Sequence, residues 1–271
     1  MKRFGVLGWP VAHSRSPAMF KALGVPYQLL PVPPHLFTET ARALGAAGFG
    51  GANVTIPHKE AALALADNAT DTARAVGAAN TLTFTEDGTV LAENTDVRGF
   101  LRALPERPGG RRAVVLGAGG AARAVVYALT TQGAEVGVWN RTPERAKALA
   151  EELGATWLGE VGKADLLVNC TSVGLKNSSS GDLPDFKNLP VNVDQLSEFT
   201  CVVDLVYRPG GTDLQRAARE RGIQFVDGLE VLVQQGALSY EAWTGSAPDL
   251  AVMRRAAHDA DVTPATAPQP R

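Results

Sequence analysis

The chain has 271 residues, enough for two domains that each bury a core. Its 45% hydrophobic and 20% charged residues are ordinary for a soluble globular protein, and the lack of a 20- to 50-residue repeat argues against a solenoid or propeller. A net charge of -2 offers no basic stripe for nucleic acid or an acidic membrane, and no apolar run reaches transmembrane length.

Residues 4–8 read as a strand opening the chain, which is broken at Pro10 before any secretory leader could form. The cytoplasm is therefore the expected compartment. Ser16 and Pro17 open a helix, with the serine as its cap and the proline at its first position. Ser14 and Ser16 flank Arg15, and their hydroxyls beside helix N–H groups suit a carboxylate. Residues 27–32 predict a second strand and 37–47 a second helix ending near Gly48.

Residues 51–59 carry the most chemistry. Val54 and Ile56 alternate with Asn53 and Thr55, the period of a strand with one buried face. Pro57 ends that strand and suits the first turn of the helix predicted over 60–66. Lys59 then stands where a strand's carboxyl end meets the positive end of a helix dipole, a setting that suits a proton carrier. Further on, 81–85 and 90–93 flank an Asp-Gly turn and predict a hairpin. Asn80-Thr81 begins its first strand and Asn94-Thr95-Asp96 ends its second.

The Pro- and Gly-rich stretch 105–110 marks a domain boundary. Beyond it, strands over 113–116, 134–139, 165–169, 200–205 and 224–226 alternate with helices over 121–132, 143–153 and 213–221. That rhythm indicates a doubly wound α/β domain. Residues 176–198 read as a long irregular loop, 229–243 and 250–260 as terminal helices, and 263–271 as a disordered tail. Cys170 and Cys201 lie in apolar segments without ligand spacing and are expected to be reduced and buried. The four histidines form no ligand cluster, so no metal site is expected.

Gly117-Ala118-Gly119-Gly120-Ala121-Ala122 follows a buried strand and opens a helix, the dinucleotide-binding pattern. The glycines allow a tight turn and close approach of a pyrophosphate to the helix amino end. The next strand ends in Asn140-Arg141-Thr142, with Arg145 one turn later, where an NAD site carries an acid. Arg141 can instead meet a 2′-phosphate with its guanidinium fork, so the expected cofactor is NADP. Thr142 is also expected to cap the helix at Pro143.

Taken in order, GWPVAHSRSP (8–17), GANVTIPHK (51–59), GAANTL (77–82), NTD (94–96), GAGGAA (117–122), NRT (140–142), NCTSVGL (169–175), DLVYRPGGTDL (204–214) and LVQQGA (232–237) resemble the shikimate dehydrogenase family. The resemblance runs from residue 5 to about 245. It implies reversible NADPH-dependent reduction of 3-dehydroshikimate to shikimate, a step of aromatic amino-acid biosynthesis. Ser14 and Ser16 would hold the substrate carboxylate. Thr55, Asn80 and Gln235 would contact ring hydroxyls or the reacting oxygen, and Tyr207 would help close the site. Lys59 and Asp96 match the catalytic pair; Thr171 and Gly228 join the glycine loop in holding the cofactor.

The implied layout is a substrate domain over 1–104, a Rossmann domain over 105–228, and helices over 229–262 returning to the first. Members occur as monomers and homodimers. Lys21, Leu175 and Val231 stand where the family often has Asn, Met and Met. Two alternatives remain at this point. One is a quinate/shikimate dehydrogenase with relaxed substrate or NAD use. The other is a silent NADP-binding regulator, against which the intact Lys59 and Asp96 speak.

Overall fold

A computed structural model describes residues 2–175 and 184–259, and two six-stranded sheets organise them. The first sheet contains β1 (Arg3–Gly8), β2 (Tyr27–Pro31), β3 (Phe49–Val54), β4 (Asn68–Ala69), β5 (Thr81–Phe84) and β6 (Val90–Glu93). Its order is β2-β1-β3-β5-β6-β4, with β1 parallel to β2 and β3, and β5 antiparallel to β3 and β6. Helices α1 (Ser16–Ala22), α2 (Phe37–Ala46), α3 (Lys59–Leu65), α4 (Asp71–Val76) and α5 (Thr95–Ala103) connect or follow these strands.

The second sheet contains β7 (Arg112–Leu116), β8 (Glu135–Trp139), β9 (Thr156–Trp157), β10 (Leu166–Asn169), β11 (Cys201–Asp204) and β12 (Gln224–Asp227). It runs β12-β11-β10-β7-β8-β9, and every pairing is parallel. That is the doubly wound order, with its switch point between β7 and β10. Helices α6 (Gly120–Thr131), α7 (Pro143–Leu153) and α8 (Asp213–Glu220) wind around it. Helices α9 (Gly228–Thr244) and α10 (Leu250–Asp259) follow.

The continuous apolar runs arise because both faces of this sheet are covered. Ala113 and Val115 of β7 pack with Val125, Val126 and Leu129 of α6 on one face. Val114 and Leu116 meet Leu214 and Ala217 of α8 on the other. Val97 and Phe100 of α5 join the α6 cluster, so one apolar core ties the first half of the chain to the second. Met19 and Phe20 of α1 are fully buried against Val233 and Ala237 of α9 and Met253 of α10. Each such side chain contributes roughly 1.5–3 kcal/mol by leaving water.

Several expectations are corrected. Strand β3 ends at Val54 and is buried along its whole length because both faces are covered. Ala52 and Val54 pack with Ala41 and Leu44 of α2, while Gly51 and Asn53 meet Trp243 and Ser239 of α9; Ile56 lies beyond the strand and is 52% exposed. Helix α3 starts at Lys59, two residues after Pro57. Ser16 is the first residue of α1 rather than its cap; Arg15 holds the cap position, and the Ser14 hydroxyl accepts from the Ser16 N–H at 3.3 Å. Thr142 occupies the cap position of α7 without a side-chain hydrogen bond.

Helices α4 and α5 were not anticipated, nor were the two-residue strands β4 and β9. Within the expected loop over 176–198, Pro184–Asn188 and Asp194–Glu198 form 3-10 turns, while 176–183 lie outside the described residues. The expected tail over 263–271 also lies outside them. Cys201 is buried, but Cys170 is only partly so, because it sits past the end of β10 and lines a cleft. Among the described residues, no helix is long and apolar enough to cross a membrane.

Candidate active site

The residues that follow β1, β3, β10, β11 and β12 line one cleft between the two sheets. Open α/β sheets present their ligand sites at such carboxyl ends. Lys59 enters from the first residue of α3. The buried His58 before it anchors the helix start, with Nε2 2.7 Å from the Val32 carbonyl and its ring stacked on Phe37. A carbonyl only accepts, so the His58 nitrogen donates. Burial pushes this imidazole below its ordinary value, and the Val32 bond partly restores it.

Asp96 enters from the first turn of α5. Asn94 caps that helix by accepting from the Val97 N–H at 3.3 Å and ties it down by donating to the Ala78 carbonyl at 2.8 Å. Lys59 and Asp96 then meet with Nζ 2.6 Å from Oδ2, their side chains 11% and 17% exposed. A charged hydrogen bond this short and sheltered fixes the ammonium's direction far better than a surface pair would.

Asn80, just before β5, joins the pair to the rest of the site. Its Oδ1 accepts from the Thr95 N–H at 2.7 Å, which determines which way the amide points. Its Nδ2 is thereby directed at Asp96 Oδ1 (2.9 Å) and Gln235 Oε1 (3.0 Å). Gln235 comes from α9 and donates through Nε2 to the Leu232 carbonyl at 2.8 Å. Behind them, the Ser239 hydroxyl lies 2.9 Å from Thr81 Oγ1 and 3.2 Å from Thr95 Oγ1, and accepts from Asn53 Nδ2 at 2.8 Å. The Tyr27 hydroxyl completes this buried network by donating to Asn53 Oδ1 at 2.8 Å.

Sequence reasoning assigned no role to Asn53, Tyr27 or Ser239. A polar side chain within an otherwise apolar strand was a signal available at Asn53; Tyr27 and Ser239 had none. Ser14, Ser16, Thr55 and Tyr207 line the same cleft. Arg15 between the serines is buried, and its Nη1 has no hydrogen-bond partner among the described residues. Burial pushes the Tyr207 phenol above its ordinary value, opposed by hydrogen bonding to the Arg15 backbone and the Ser14 hydroxyl.

The glycine loop closes the other side. Gly117 has φ +114, a conformation that favours glycine, and a Cβ there would press on the Cys170 carbonyl carbon at 3.2 Å. Nothing lies within 4 Å of where a Gly119 Cβ would be, which leaves the backbone open to a ligand. A Cβ on Gly120 would stand 2.8 Å from the Lys59 Cβ, so the amino end of α6 lies directly against the lysine. Ala121, Thr171 and Gly228 also line the cleft. Ala118 lies within the turn, where it packs on the core shared with α6.

Asn140, Arg141, Thr142 and Arg145 lie apart from the cleft lining, beyond β8. Arg141, Thr142 and Arg145 are exposed, and Asn140 Nδ2 donates to the Thr142 carbonyl at 2.9 Å. The strand ends without an acid, and two guanidinium groups are free to reach a phosphate. An open glycine backbone, a helix amino end and these arginines together fit NADP.

Three family models match: "Shikimate dehydrogenase substrate binding domain" over residues 6–82, "Shikimate / quinate 5-dehydrogenase" over 103–172, and "Shikimate 5'-dehydrogenase C-terminal domain" over 228–258. A shikimate dehydrogenase (NADP(+)) of Thermus thermophilus is 46% identical over 276 residues, covering 96% of this chain and 99% of that one. The crystal structure of a Thermus thermophilus shikimate 5-dehydrogenase in complex with NADP(H) and shikimate matches with a TM-score of 0.84 at 43% identity, over 95% and 99% of the two chains. The Aquifex aeolicus enzyme matches with a TM-score of 0.86 at 35% identity, over 96% and 98%. The chain belongs to the shikimate dehydrogenase family.

Proposed function

We propose that this chain catalyses the reversible NADPH-dependent reduction of 3-dehydroshikimate to shikimate, with Lys59 and Asp96 as its catalytic pair. The observation that carries this reading is the 2.6 Å Lys59–Asp96 contact, set directly against Gly120 of the cofactor loop. Bound along Gly117–Ala121, NADPH supplies the hydride. Reduction of a ketone leaves negative charge on its oxygen, and that oxygen must gain a proton. Lys59 Nζ stabilises the developing charge and delivers the proton; in the reverse direction it accepts the proton from the hydroxyl. Asp96 Oδ2 holds the ammonium in place, and Asn80 holds Asp96.

Ser14 and Ser16, which line the cleft where α1 begins, take the substrate carboxylate. Thr55, Asn80 and Gln235 receive the ring hydroxyls and the reacting oxygen, and Tyr207 covers the carboxylate end. Arg141 and Arg145, with Asn140 and Thr142, hold the 2′-phosphate, while Thr171 and Gly228 border the nicotinamide half. The substrate unit spans 1–104, the cofactor unit 105–228, and α9 and α10 complete the first. The cytoplasm is the compartment we assign, in keeping with the free thiols of Cys170 and Cys201.

The test is Lys59→Ala. Turnover is expected to fall by about 100-fold or more, as for loss of a general acid, with a smaller change in shikimate KM. Near-normal turnover would sink the assignment.

A further inference from the structure

Asp204 is a fully buried carboxylate at the carboxyl end of β11, and the proton chemistry above does not use it. It pairs in register with Asn169, which ends β10 and is 1% exposed. Its Oδ1 accepts from Asn169 Nδ2 at 2.9 Å and from the Val206 N–H at 3.1 Å, and its Oδ2 accepts from the Thr212 hydroxyl at 2.6 Å. A carboxylate receiving these donors turns the Asn169 amide nitrogen toward itself, so Asn169 Oδ1 must face the other way.

That oxygen accepts from both the N–H and the hydroxyl of Thr171, at 3.0 and 2.7 Å. The Val173 N–H donates to Thr171 Oγ1 at 3.1 Å. A threonine hydroxyl has one proton and two lone pairs. Here the proton and one lone pair are committed to the protein, so Thr171 offers the cleft one acceptor and no donor.

We infer that Asp204 and Asn169 are positioning residues that fix the Thr171 hydroxyl as the acceptor for a ribose hydroxyl on the nicotinamide side of the cofactor. The inference rests on the cofactor site proposed above. An acceptor repels pyrophosphate oxygens, which also only accept, so the pyrophosphate is not its partner. A Cβ on Gly117 would lie 3.4 Å from the Thr171 nitrogen, which places Thr171 beside the first glycine of the phosphate loop. Two riboses adjoin the pyrophosphate. The one carrying the 2′-phosphate is assigned to Arg141 after β8, whereas Thr171 follows β10 on the opposite side of β7. The ribose within its reach is therefore the nicotinamide-side one, whose hydroxyls can donate.

The experiment measures binding by calorimetry, without turnover, using NADP+, 2′-phospho-ADP-ribose and 2′,5′-ADP. The second probe keeps the nicotinamide-side ribose but lacks nicotinamide; the third lacks both. Thr171→Val is expected to weaken NADP+ and 2′-phospho-ADP-ribose alike, by about 5- to 10-fold, the usual effect of losing one hydrogen bond. Binding of 2′,5′-ADP should stay unchanged, and Thr171→Ser should restore the other two. Asn169→Leu should reproduce the valine pattern through Thr171; the Thr171 variants decide the matter if that protein does not fold. Loss confined to NADP+ would assign the contact to the nicotinamide and overturn the inference. Equal loss of 2′,5′-ADP would show a merely structural role and overturn it too. Failure of the wild type to bind 2′,5′-ADP would overturn the cofactor site itself, and the inference with it.

Discussion

Gly120→Ala isolates the contact between the cofactor loop and the catalytic lysine. The added methyl group would stand 2.8 Å from the Lys59 Cβ and 3.1 Å from its Cδ. Carbon atoms pack at about 3.5–4.0 Å, so the two must separate by roughly 1 Å. The Lys59 Cβ is the root of its side chain, so the shift moves the ammonium or the helix that carries it. A misplacement of about 1 Å costs about 100-fold in rate where chemistry depends on alignment. Gly120 is the first residue of α6 and its backbone is not in the left-handed region, so alanine brings no backbone strain there and the melting temperature should not fall in proportion. Initial rates of shikimate oxidation, read with a thermal melt on the same preparation, separate the two effects. A variant with turnover within about twofold of wild type would refute the reasoning, since a lysine so easily displaced would not be aligned by this contact.

Two other parts of the site are open to test. Burial pushes Asp204 up to about 7, against hydrogen bonds from Thr212, Val206 and Asn169 that pull it down, while the unfolded chain titrates near about 3.9. A raised folded value means that this group's contribution is full below about pH 4 and is lost as pH climbs through about 7. Asp204→Asn titrates in neither state, so its stability should rise relative to wild type across that window, by an amount of the order of 4 kcal/mol. Denaturant melts at both ends of the window check this, and a pH-independent difference would contradict it. Arg141→Gln should raise the KM for NADP+ by about tenfold or more and leave that for NAD+ nearly unchanged, consistent with a charged hydrogen bond to the 2′-phosphate. Parallel loss with both cofactors would remove Arg141 from that role.

Legibility in the sequence tracked how many faces of an element are buried. Strands β7, β10 and β11 read as apolar runs because helices cover both sides of their sheet. Strand β3 misled: its Gly-Gly-Ala residues carry little pattern, and the apparent alternation extended it to the exposed Ile56. Helix α5 was hidden because Asn94-Thr95-Asp96, which read as the end of a strand, caps and begins a helix whose buried face is mainly Val97, Gly99 and Phe100. Strands β4 and β9, two residues each, exist only through their pairing with β6 and β8.

Polar residues at strand ends could be picked out one by one, since those positions need caps and turns. Their convergence on Lys59 could not, because it depends on contacts such as Asn53 to Ser239, 186 residues apart in the chain. The resemblance to a family supplied the grouping, and the fold supplied the distances.

The most direct measurement of the central claim follows the absorbance of the reduced nicotinamide, NADPH or NADH, with shikimate and quinate each offered with NADP+ and with NAD+. The account predicts fastest oxidation for shikimate with NADP+, and loss of that rate in Lys59→Ala. No turnover in any of the four combinations would contradict it, as would equal rates with NADP+ and NAD+.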